Sequence, residues 1–567
     1  MFMQFSQSAR RASPGRTWIP VVALVLGLFI AVSSCKNNDT PGPVLSILSF
    51  TPSSAPVGTP IVITGTAFNA TPASNTVTFG GVAATVTGAS TTSLTVVVPA
   101  NAGTPIAVTS GGATVTSSTA FALGTKPVKE ITGNITADTK WTAGNVYYLR
   151  GFVQVVAPAT LTIEAGTIIR GGGKEVDPAG KQQGATLIVL PGAKIVATGT
   201  ASAPIVFTSN KAAGSRNYGD WGGIVIMGKA PVNQPGATGF EGGLPGIVGT
   251  YTDVNDNSGT LQYVRIEFGG IALLANSEIN GLSLYGVGAG TTLDHIQVSY
   301  SGDDSYEWFG GTVNAKNLIA FRGWDDDWDT DWGWSGKVQY GLSLRDTDVA
   351  DQSGSNGFES DNFNPGLPAT GANAGLPLTA GVFANMSNFV FSGTPSNVPT
   401  SKGSGAYQSG MHLRRNTSLS IFNSLLVGYP EGLRLDAPTG TTGTLDNATS
   451  GALQLHGVVI ANMTAPVKGA GAITDAQAQA FFNTAAYKNQ IIPSTGVAAL
   501  LLNTASFTLT APNFLPQTGS PLLTGAIWDG KGADTFFTKE TFIGGFGTTD
   551  WTKGWANWDP QNANYDK

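Results

Sequence analysis

The sequence predicts an all-β protein in which a β-sandwich is followed by a right-handed parallel β-helix solenoid. Short apolar segments recur along the chain and are separated by Gly, Asn, Ser and Asp, which is typical of strands joined by turns. The composition disfavours long helices, because charged residues make up 12% of the 567 residues and glycine contributes 75. Ordinary soluble domains carry about 25% charged residues.

Residues 1–34 have the pattern of a secretory signal peptide. Three arginines precede an apolar run over residues 18–31, which is short for a membrane span and suits a signal sequence. The run ends in Val32-Ser33-Ser34-Cys35, and this cysteine is the only one in the chain. This ending resembles a bacterial lipobox, which implies cleavage and lipidation of Cys35. The alternative is an ordinary signal peptide with an incidental cysteine.

The residues around Cys35 also bear on location. The next residue is Lys36 rather than Asp, which by the same resemblance implies transport to the outer membrane as an envelope lipoprotein. We expect surface exposure, although the periplasmic side stays open.

Residues 44–123 follow a polar tether at 35–43 and carry alternating strands at the spacing of a β-sandwich. The phrase Phe50-Thr51-Pro52-Ser53-Ser54-Ala55-Pro56-Val57-Gly58-Thr59 and the turn Gly65-Thr66-Ala67-Phe68 resemble an IPT/TIG domain. The resemblance implies an immunoglobulin-like spacer, and no catalytic group stands out in it.

Residues 129–567 show a different and longer pattern of short strands without intervening helices. Regular short strands favour a solenoid whose stacked coils share one apolar core. A β-propeller is the competing all-β fold, but no blade repeat of about 40–50 residues is visible. We expect a short helix within 474–489 and a C-terminal Trp- and Gly-rich cap over the open end.

The acidic residues are concentrated in one window. Eight of the 36 acids lie within residues 303–331, and Asp303-Asp304-x-x-Glu307 returns as Asp325-Asp326-x-x-Asp329, 22 residues later. This shift is about one β-helix coil, so the two acidic turns should stack on rungs about 4.8 Å apart. A third turn, Glu359-Ser360-Asp361, extends the predicted ladder.

Carboxylates this close either share protons or bind a cation. An oxygen-only cluster on flexible turns suits Ca²⁺ rather than zinc, so the first hypothesis is a structural calcium site that ties the rungs. Its predicted ligands are Asp303, Asp304, Glu307, Asp325, Asp326, Asp329, Glu359 and Asp361.

Two other interpretations of the same window remain open. Paired carboxylates can perform acid/base chemistry on a polysaccharide, for which the candidates are Asp304, Glu307, Asp326 and Asp329. Alternatively, the window is a solvated acidic face.

Five of the twelve tryptophans lie in or just beyond the acidic window: Trp308, Trp324, Trp328, Trp332 and Trp334. Tryptophan rings offer apolar faces on which sugars can stack, so we predict these five as ligand-binding residues. Packing between loops is the alternative.

Other cofactor and partner classes lose support. The net charge is −6 and no basic block is present, which argues against nucleic acid. Residues 286–290 are glycine-rich, but no helix pattern follows, so they predict a turn rather than a nucleotide loop. The three histidines are far apart, so we predict neither zinc nor haem. His412 lies on an alternating strand and is expected to be an ordinary surface histidine.

Four phrases stand out in the β-helix region: Gly214–Ile224, Ser299–Asp304, Phe321–Asp327 and Met411–Asn416. They resemble a group of β-helix lipoproteins from Bacteroidota-like bacteria. The resemblance spans about residues 129–567 and implies secretion and a pectin-lyase-like solenoid. It supplies no catalytic residues.

The sequence therefore predicts a lipid-anchored envelope protein that binds a glycan or another extracellular ligand through an acidic, Trp-rich face. The alternatives are a polysaccharide lyase or glycosidase using that face, and a structural or adhesion protein with calcium-stabilised coils. Lys and Arg are scarce near the acids, which favours binding over a lyase.

Overall fold

The computed structural model describes residues 42–234, 244, 251–274, 277–346, 349–351, 353–362, 375–390, 406–437, 443–503 and 512–565. The predicted signal peptide and Cys35 lie outside these residues. Within the described ranges, no helix has the length and apolar character that a membrane crossing requires.

The N-terminal part of the chain is an antiparallel β-sandwich with sheet order β1-β3-β6-β5-β4-β7-β8 and a separate β2-β9 pair. In β3 the side chains of Ile61 and Ile63 are buried and that of Val62 is exposed, as alternation in a half-buried strand requires. The strands are β1 (Ser46–Thr51), β2 (Ser54–Ala55), β3 (Pro60–Thr66), β4 (Asn75–Phe79), β5 (Val82–Ala89), β6 (Ser93–Val97), β7 (Ile106–Ser110), β8 (Ala113–Thr116) and β9 (Ala122–Leu123).

The rest of the chain is a β-helix built on one continuous parallel sheet. Its first strands are β10 (Val128–Ile135), β11 (Thr139–Trp141), β12 (Val146–Val155), β13 (Thr160–Ile163), β14 (Ile168–Gly171), β15 (Thr186–Val189), β16 (Lys194–Thr198), β17 (Ile205–Ser209), β18 (Gly223–Met227), β19 (Gly259–Glu267), β22 (Leu282–Val287) and β23 (Thr292–Ser299). Between β19 and β22, β20 (Ile271–Leu274) and β21 (Ser277–Ile279) form a separate antiparallel pair outside this sheet. The later strands are β24 (Tyr306–Gly311), β25 (Asn314–Phe321), β26 (Trp328–Asp331), β27 (Lys337–Arg345), β28 (Phe358–Ser360), β29 (Val382–Val390), β30 (Ser409–Leu413), β31 (Ser420–Phe422), β32 (Leu425–Val427), β33 (Glu431–Ala437), β34 (Leu455–His456), β35 (Val459–Ala461), β36 (Ala465–Gly471) and β37 (Gln490–Ile492). These elements confirm the predicted fold class.

The parallel strands stack in three ladders that form the sides of the solenoid. Ladder A contains β14, β17, β32, β35, β37 and the second halves of β19, β23, β25, β27 and β29. Ladder B contains β15, β18, β22, β24, β26, β28, β30, β33 and β36. Ladder C contains β11, β13, β16, β31, β34 and the first halves of β19, β23, β25, β27 and β29.

The bend between ladders C and A has a left-handed backbone on successive rungs. We call its side chains the bend column; they belong to Tyr263, His295, Asn317, Tyr340, Asn385 and Asn423, with φ from 48° to 66°. Asparagine tolerates this conformation better than most residues. Because each rung repeats the bend, these side chains project from one corner of the solenoid.

Two α-helices are described alongside the solenoid, α1 (Gly443–Ser450) and α2 (Asp475–Phe482). The predicted short helix is confirmed as α2, which begins with a capping box between Thr474 and Gln477. That box satisfies backbone N–H groups that the first helical turn leaves free.

The C-terminal tail, residues 512–565, runs back along the outside of ladder A. Asn423, Gln297 and Arg216 donate to the carbonyls of Ile527 (2.9 Å), Asn557 (2.7 Å) and Pro560 (2.6 Å) in turn. The tail thus passes from late rungs to early ones, and the predicted cap over the open end is wrong. The outer side of ladder A is itself apolar, and the tail shields Phe321 and Leu344 there from water.

Candidate functional site

A row of ionisable side chains follows the outer side of ladder B, one on each of the six rungs from β24 to β36. We call it the ionisable column. Strand alternation directs Tyr306 and Trp308 into the core and therefore places Glu307 on the opposite side. Register then stacks the column in the order Glu307, Asp329, Glu359, His412, Arg434 and Lys468.

The turns that enter ladder B are stacked as the 22-residue repeat predicts. Oδ1 of Asp304 accepts a hydrogen bond from the backbone N–H of Asp326 at 2.8 Å. Asp326 accepts in the same way from Asn356, and Asn356 accepts from Ser409 at 3.0 Å. Each side chain therefore fixes the backbone of the next turn.

Within the described residues, two groups of carboxylates have the spacing to hold a metal ion. One contains Asp303, Asp304 and Asp325, the other Asp304, Glu307 and Asp329, and in each the ligand oxygens lie within 4.8 Å of one another. Asp304 belongs to both groups. We call these five residues the carboxylate cluster. Five of the eight predicted calcium ligands thus come together, and their all-oxygen chemistry fits Ca²⁺.

A buried amide adjoins the second group. The Nδ2 of Asn280 donates to Glu307 and, at 3.2 Å, to the hydroxyl of Ser283. Its Oδ1 is buried and has no hydrogen-bond partner among the described residues. An amide oxygen is a usual calcium ligand, so Asn280 is a candidate that the sequence reading missed.

The remaining predicted ligands have other partners. Arg414 donates to Glu359 and, at 2.7 Å, to Asp361, and Arg415 also binds Asp361. Asp326 belongs to neither group and holds the next turn. Glu359, Asp361 and Asp326 therefore do not join the two carboxylate groups, and arginines from the following rung neutralise the first two. Their assignment as calcium ligands stays a prediction.

Burial and mutual repulsion perturb the acids of this region. Burial, followed by repulsion from neighbouring carboxylates, raises the pKa of Asp304, Asp326 and Asp329 well above the ordinary value. Burial and then Asp351 raise the pKa of Asp325 to about 7. A cation would relieve both the repulsion and the loss of hydration.

Glu359 behaves in the opposite way. Burial alone would raise its pKa, but Arg414 and His412 hold it at about 2. His412 is buried, contrary to the prediction of a surface histidine, and its ring nitrogens lie 3.2 Å from Glu359 and 3.3 Å from Asp436. Burial lowers the pKa of His412, but the hydrogen bonds of these two carboxylates outweigh it and raise the pKa.

Three of the five predicted ligand-binding tryptophans are core residues. Trp308, Trp328 and Trp334 have no exposed surface, so they cannot offer a ring face to a ligand and that prediction is wrong. Trp308 and Trp328 occupy inward positions next to outward carboxylates on the same strands. Trp324 and Trp332 are half-buried.

A cleft of about 550 Å³ adjoins the acidic turns. Trp324 lines it, with its ring 5.1 Å edge-to-face from Tyr218. Asp351 joins the cleft to the carboxylate cluster, because the Ser353 hydroxyl lies within hydrogen-bond distance of both Asp351 (2.9 Å) and Asp325 (2.8 Å) and can donate its one proton to either of them.

The lining of the cleft also includes two lysines, Lys174 and Lys211. Lys211 lies 2.6 Å from Asp220, which the Ser209 hydroxyl also contacts at 2.6 Å. The sequence did not predict these two lysines as part of a site. In the sequence, this region is marked only by the phrase around Tyr218. The two lysines give no local pattern, because they come from different coils.

Two parts of the chain match known domain families. Residues 45–123 match the IPT/TIG domain and residues 133–499 match the pectate-lyase-like beta helix domain. No curated protein matches the chain.

Some solved structures align with parts of the chain. Auxiliary nutrient binding proteins from Bacteroides thetaiotaomicron VPI-5482 and Bacteroides ovatus ATCC 8483 are 29% and 23% identical. The alignments cover 14% and 15% of this chain and 21% and 22% of those chains, each with a TM-score of 0.14. The chain thus spans about a fifth of the length of these proteins.

A Family 28 exopolygalacturonase from Yersinia enterocolitica aligns over 76% of this chain and 81% of its own, at 10% identity and a TM-score of 0.16. The family matches agree with the architecture, with the IPT/TIG match on the β-sandwich and the longer match on the three ladders. Because the longer match covers more than half of the chain, the protein belongs to the family of pectate-lyase-like β-helix domains.

Proposed function

We propose that the protein is an envelope lipoprotein that binds a glycan in the cleft beside the acidic turns. The observation that carries this proposal is a half-exposed Trp324, paired with Tyr218, in a cleft that also contains lysines and a carboxylate. Aromatic faces suit the C–H surface of a sugar, and the charged groups suit its hydroxyls. The volume lies within the usual range for ligand sites, about 300–1,000 Å³.

Calcium has a structural role in this proposal. An ion held by the carboxylate cluster would neutralise acids that otherwise repel one another, and it would fix the turn that carries Trp324. The support is the spacing of the ligand oxygens and the raised pKa values in the cluster.

Replacing Trp324 with alanine should weaken glycan binding about tenfold, equivalent to about 1.4 kcal/mol, because the stacking face is lost. The measurement is a glycan array followed by titration of the best ligand. Trp332→Ala is the matched control, since Trp332 is also half-buried but packs against Tyr285 and Phe309 on another part of ladder B. Equal binding by wild type and Trp324→Ala would place the glycan elsewhere.

A polysaccharide lyase or glycosidase is the second candidate. Asp329 and Glu359 pair on adjacent strands, and their pKa values are shifted in opposite directions. Such a pair can supply one protonated and one ionised carboxyl group.

Product analysis on the same ligands separates the two candidates. Binding without products supports recognition. Products that vanish in Asp329→Asn and persist in Asp326→Asn would establish catalysis instead.

The lipid anchor is tested independently of the glycan. We expect Cys35→Ala to release the protein from the membrane fraction, because the only thiol available for lipidation is removed. Globomycin treatment of cells should have a different effect, because blocking signal-peptide cleavage leaves a longer precursor that still carries the apolar run over residues 18–31. Unchanged lipid labelling and membrane partition of Cys35→Ala would refute the lipoprotein proposal.

A further inference from the structure

The bend column meets the C-terminal tail at several rungs. Tyr340 donates from its hydroxyl to Glu540 at 2.6 Å, and the Asn385 amide donates to the carbonyl of Phe542 at 3.0 Å. The His295 ring lies 5.4 Å from that of Trp555. The column therefore anchors the tail along one corner of the solenoid.

Asn317 is different, although it lies in the same column between His295 and Tyr340. Its side-chain amide makes no hydrogen bond within the described part of the chain and lines a cavity of about 260 Å³ between the solenoid and the tail. An amide has two donors and one acceptor group to satisfy. A ligand in the cavity can use them.

The cavity has rigid aromatic walls. Tyr340, Phe542 and Trp551 line it. The ring of Trp551 is stacked on that of Phe546 at 5.3 Å, and its indole N–H donates to the carbonyl of Gly545 at 2.8 Å. A ring held from two sides loses little conformational entropy when a ligand binds.

The polar lining indicates the charge of the ligand. Besides Asn317, the described lining includes Glu540, Thr548 and Thr549, and it includes neither Lys nor Arg. A carboxylate without a lining cation disfavours uronates, sulfates and phosphates. Amide, hydroxyl and carboxylate groups together suit the hydroxyls of a neutral sugar.

We propose that this lateral cavity binds one neutral hexose unit of a glycan. Its volume is slightly below the usual range for drug-sized ligands, and its aromatic walls match the apolar face of a pyranose ring. The cavity lies at the corner between ladders C and A, opposite ladder B. It therefore requires neither the carboxylate cluster nor calcium, and it stands whether or not the cleft at Trp324 binds a glycan.

Saturation-transfer NMR on the full chain tests this assignment. The probes are the methyl glycosides of glucose, galactose and mannose, with galacturonate as the charged counterpart, in the presence of a calcium chelator. We expect transfer to at least one neutral glycoside in wild type and, unchanged, in Trp324→Ala.

Two variants locate the binding. Asn317→Gly removes the amide, and glycine readily accepts the φ of 58° found there, so the bend is retained. Trp551→Phe shortens the aromatic wall. Each should reduce the transfer at least fivefold, while the far-UV circular dichroism stays unchanged.

Three results would overturn the proposal. They are no transfer to any neutral glycoside, full transfer in both variants, and stronger transfer to galacturonate than to the neutral glycosides. Loss of transfer in Trp324→Ala would show that the sugar binds in the cleft at Trp324. That result would also overturn the proposal.

Discussion

Replacing Arg345 with alanine is expected to destabilise the β-helix by about 3–5 kcal/mol, because it leaves a buried carboxylate without its cation. Arg345 and Asp327 have no exposed surface, and Nη1 of the arginine lies 3.4 Å from Oδ1 of the aspartate. The same nitrogen donates to the carbonyl of Asn356 at 2.8 Å. Asn356 is in the stack of acidic turns, so the lost ion pair should also loosen that stack.

The destabilisation should depend on pH. Burial raises the pKa of Asp327, and Arg345 opposes that rise, so the pKa is about 6. Without the arginine it rises further above the unfolded value of about 3.9. A raised carboxyl pKa gives stability that is retained at low pH and lost as the pH rises through it. The variant should therefore lose more stability at pH 8 than at pH 5.

Urea unfolding at the two pH values measures this effect. Lys140→Ala is the control, since its partner Glu164 is also at the surface and such pairs contribute about 0–1 kcal/mol. The double variant Arg345→Met/Asp327→Leu should recover part of the loss, because neither charge stays buried. A single variant within about 1 kcal/mol of wild type at both pH values would contradict the argument.

Calcium is expected to raise the melting temperature at pH 8 and to have little effect at pH 5. The raised pKa values of Asp304 and Asp329, with that of Asp325 at about 7, mean that this region stabilises the fold when protonated. That contribution is lost as the pH rises through about 7. Calcium would replace the protons, and at a concentration of 100 times its Kd it stabilises by about 2.7 kcal/mol.

Asp304→Asn should abolish this response, because Asp304 belongs to both carboxylate groups. Asp326→Asn is the matched control, which lies in the same stack but in neither group. Both substitutions retain the Oδ1 that accepts from the next turn. The measurement is the melting temperature of wild type and both variants, with calcium and with chelator. Identical wild-type melting curves with calcium and with chelator would refute the metal proposal. A wild-type response to calcium in Asp304→Asn would also refute it.

The orientation of the tryptophans could have been predicted from strand parity. Glu307 and Trp308 are neighbours on one strand, as are Trp328 and Asp329, so each carboxylate and its neighbouring ring face opposite sides. Once the acids are placed outside, these two rings must lie in the core. Trp324 lies in the turn before β26, where parity does not apply, and only the folded chain shows its contact with Tyr218.

The amino-acid sequence is enough to predict the two domains, the parallel β-helix and the stacking of the acidic turns. Apolar periodicity and a 22-residue repeat are local signals, and a solenoid converts a repeat along the chain into neighbours in space. Three contacts are visible only in the folded chain: Arg414 neutralises Glu359, lysines from earlier coils line the Trp324 cleft, and the tail encloses a cavity at Asn317. These contacts join residues from coils of unequal length, so their separation along the chain follows no period.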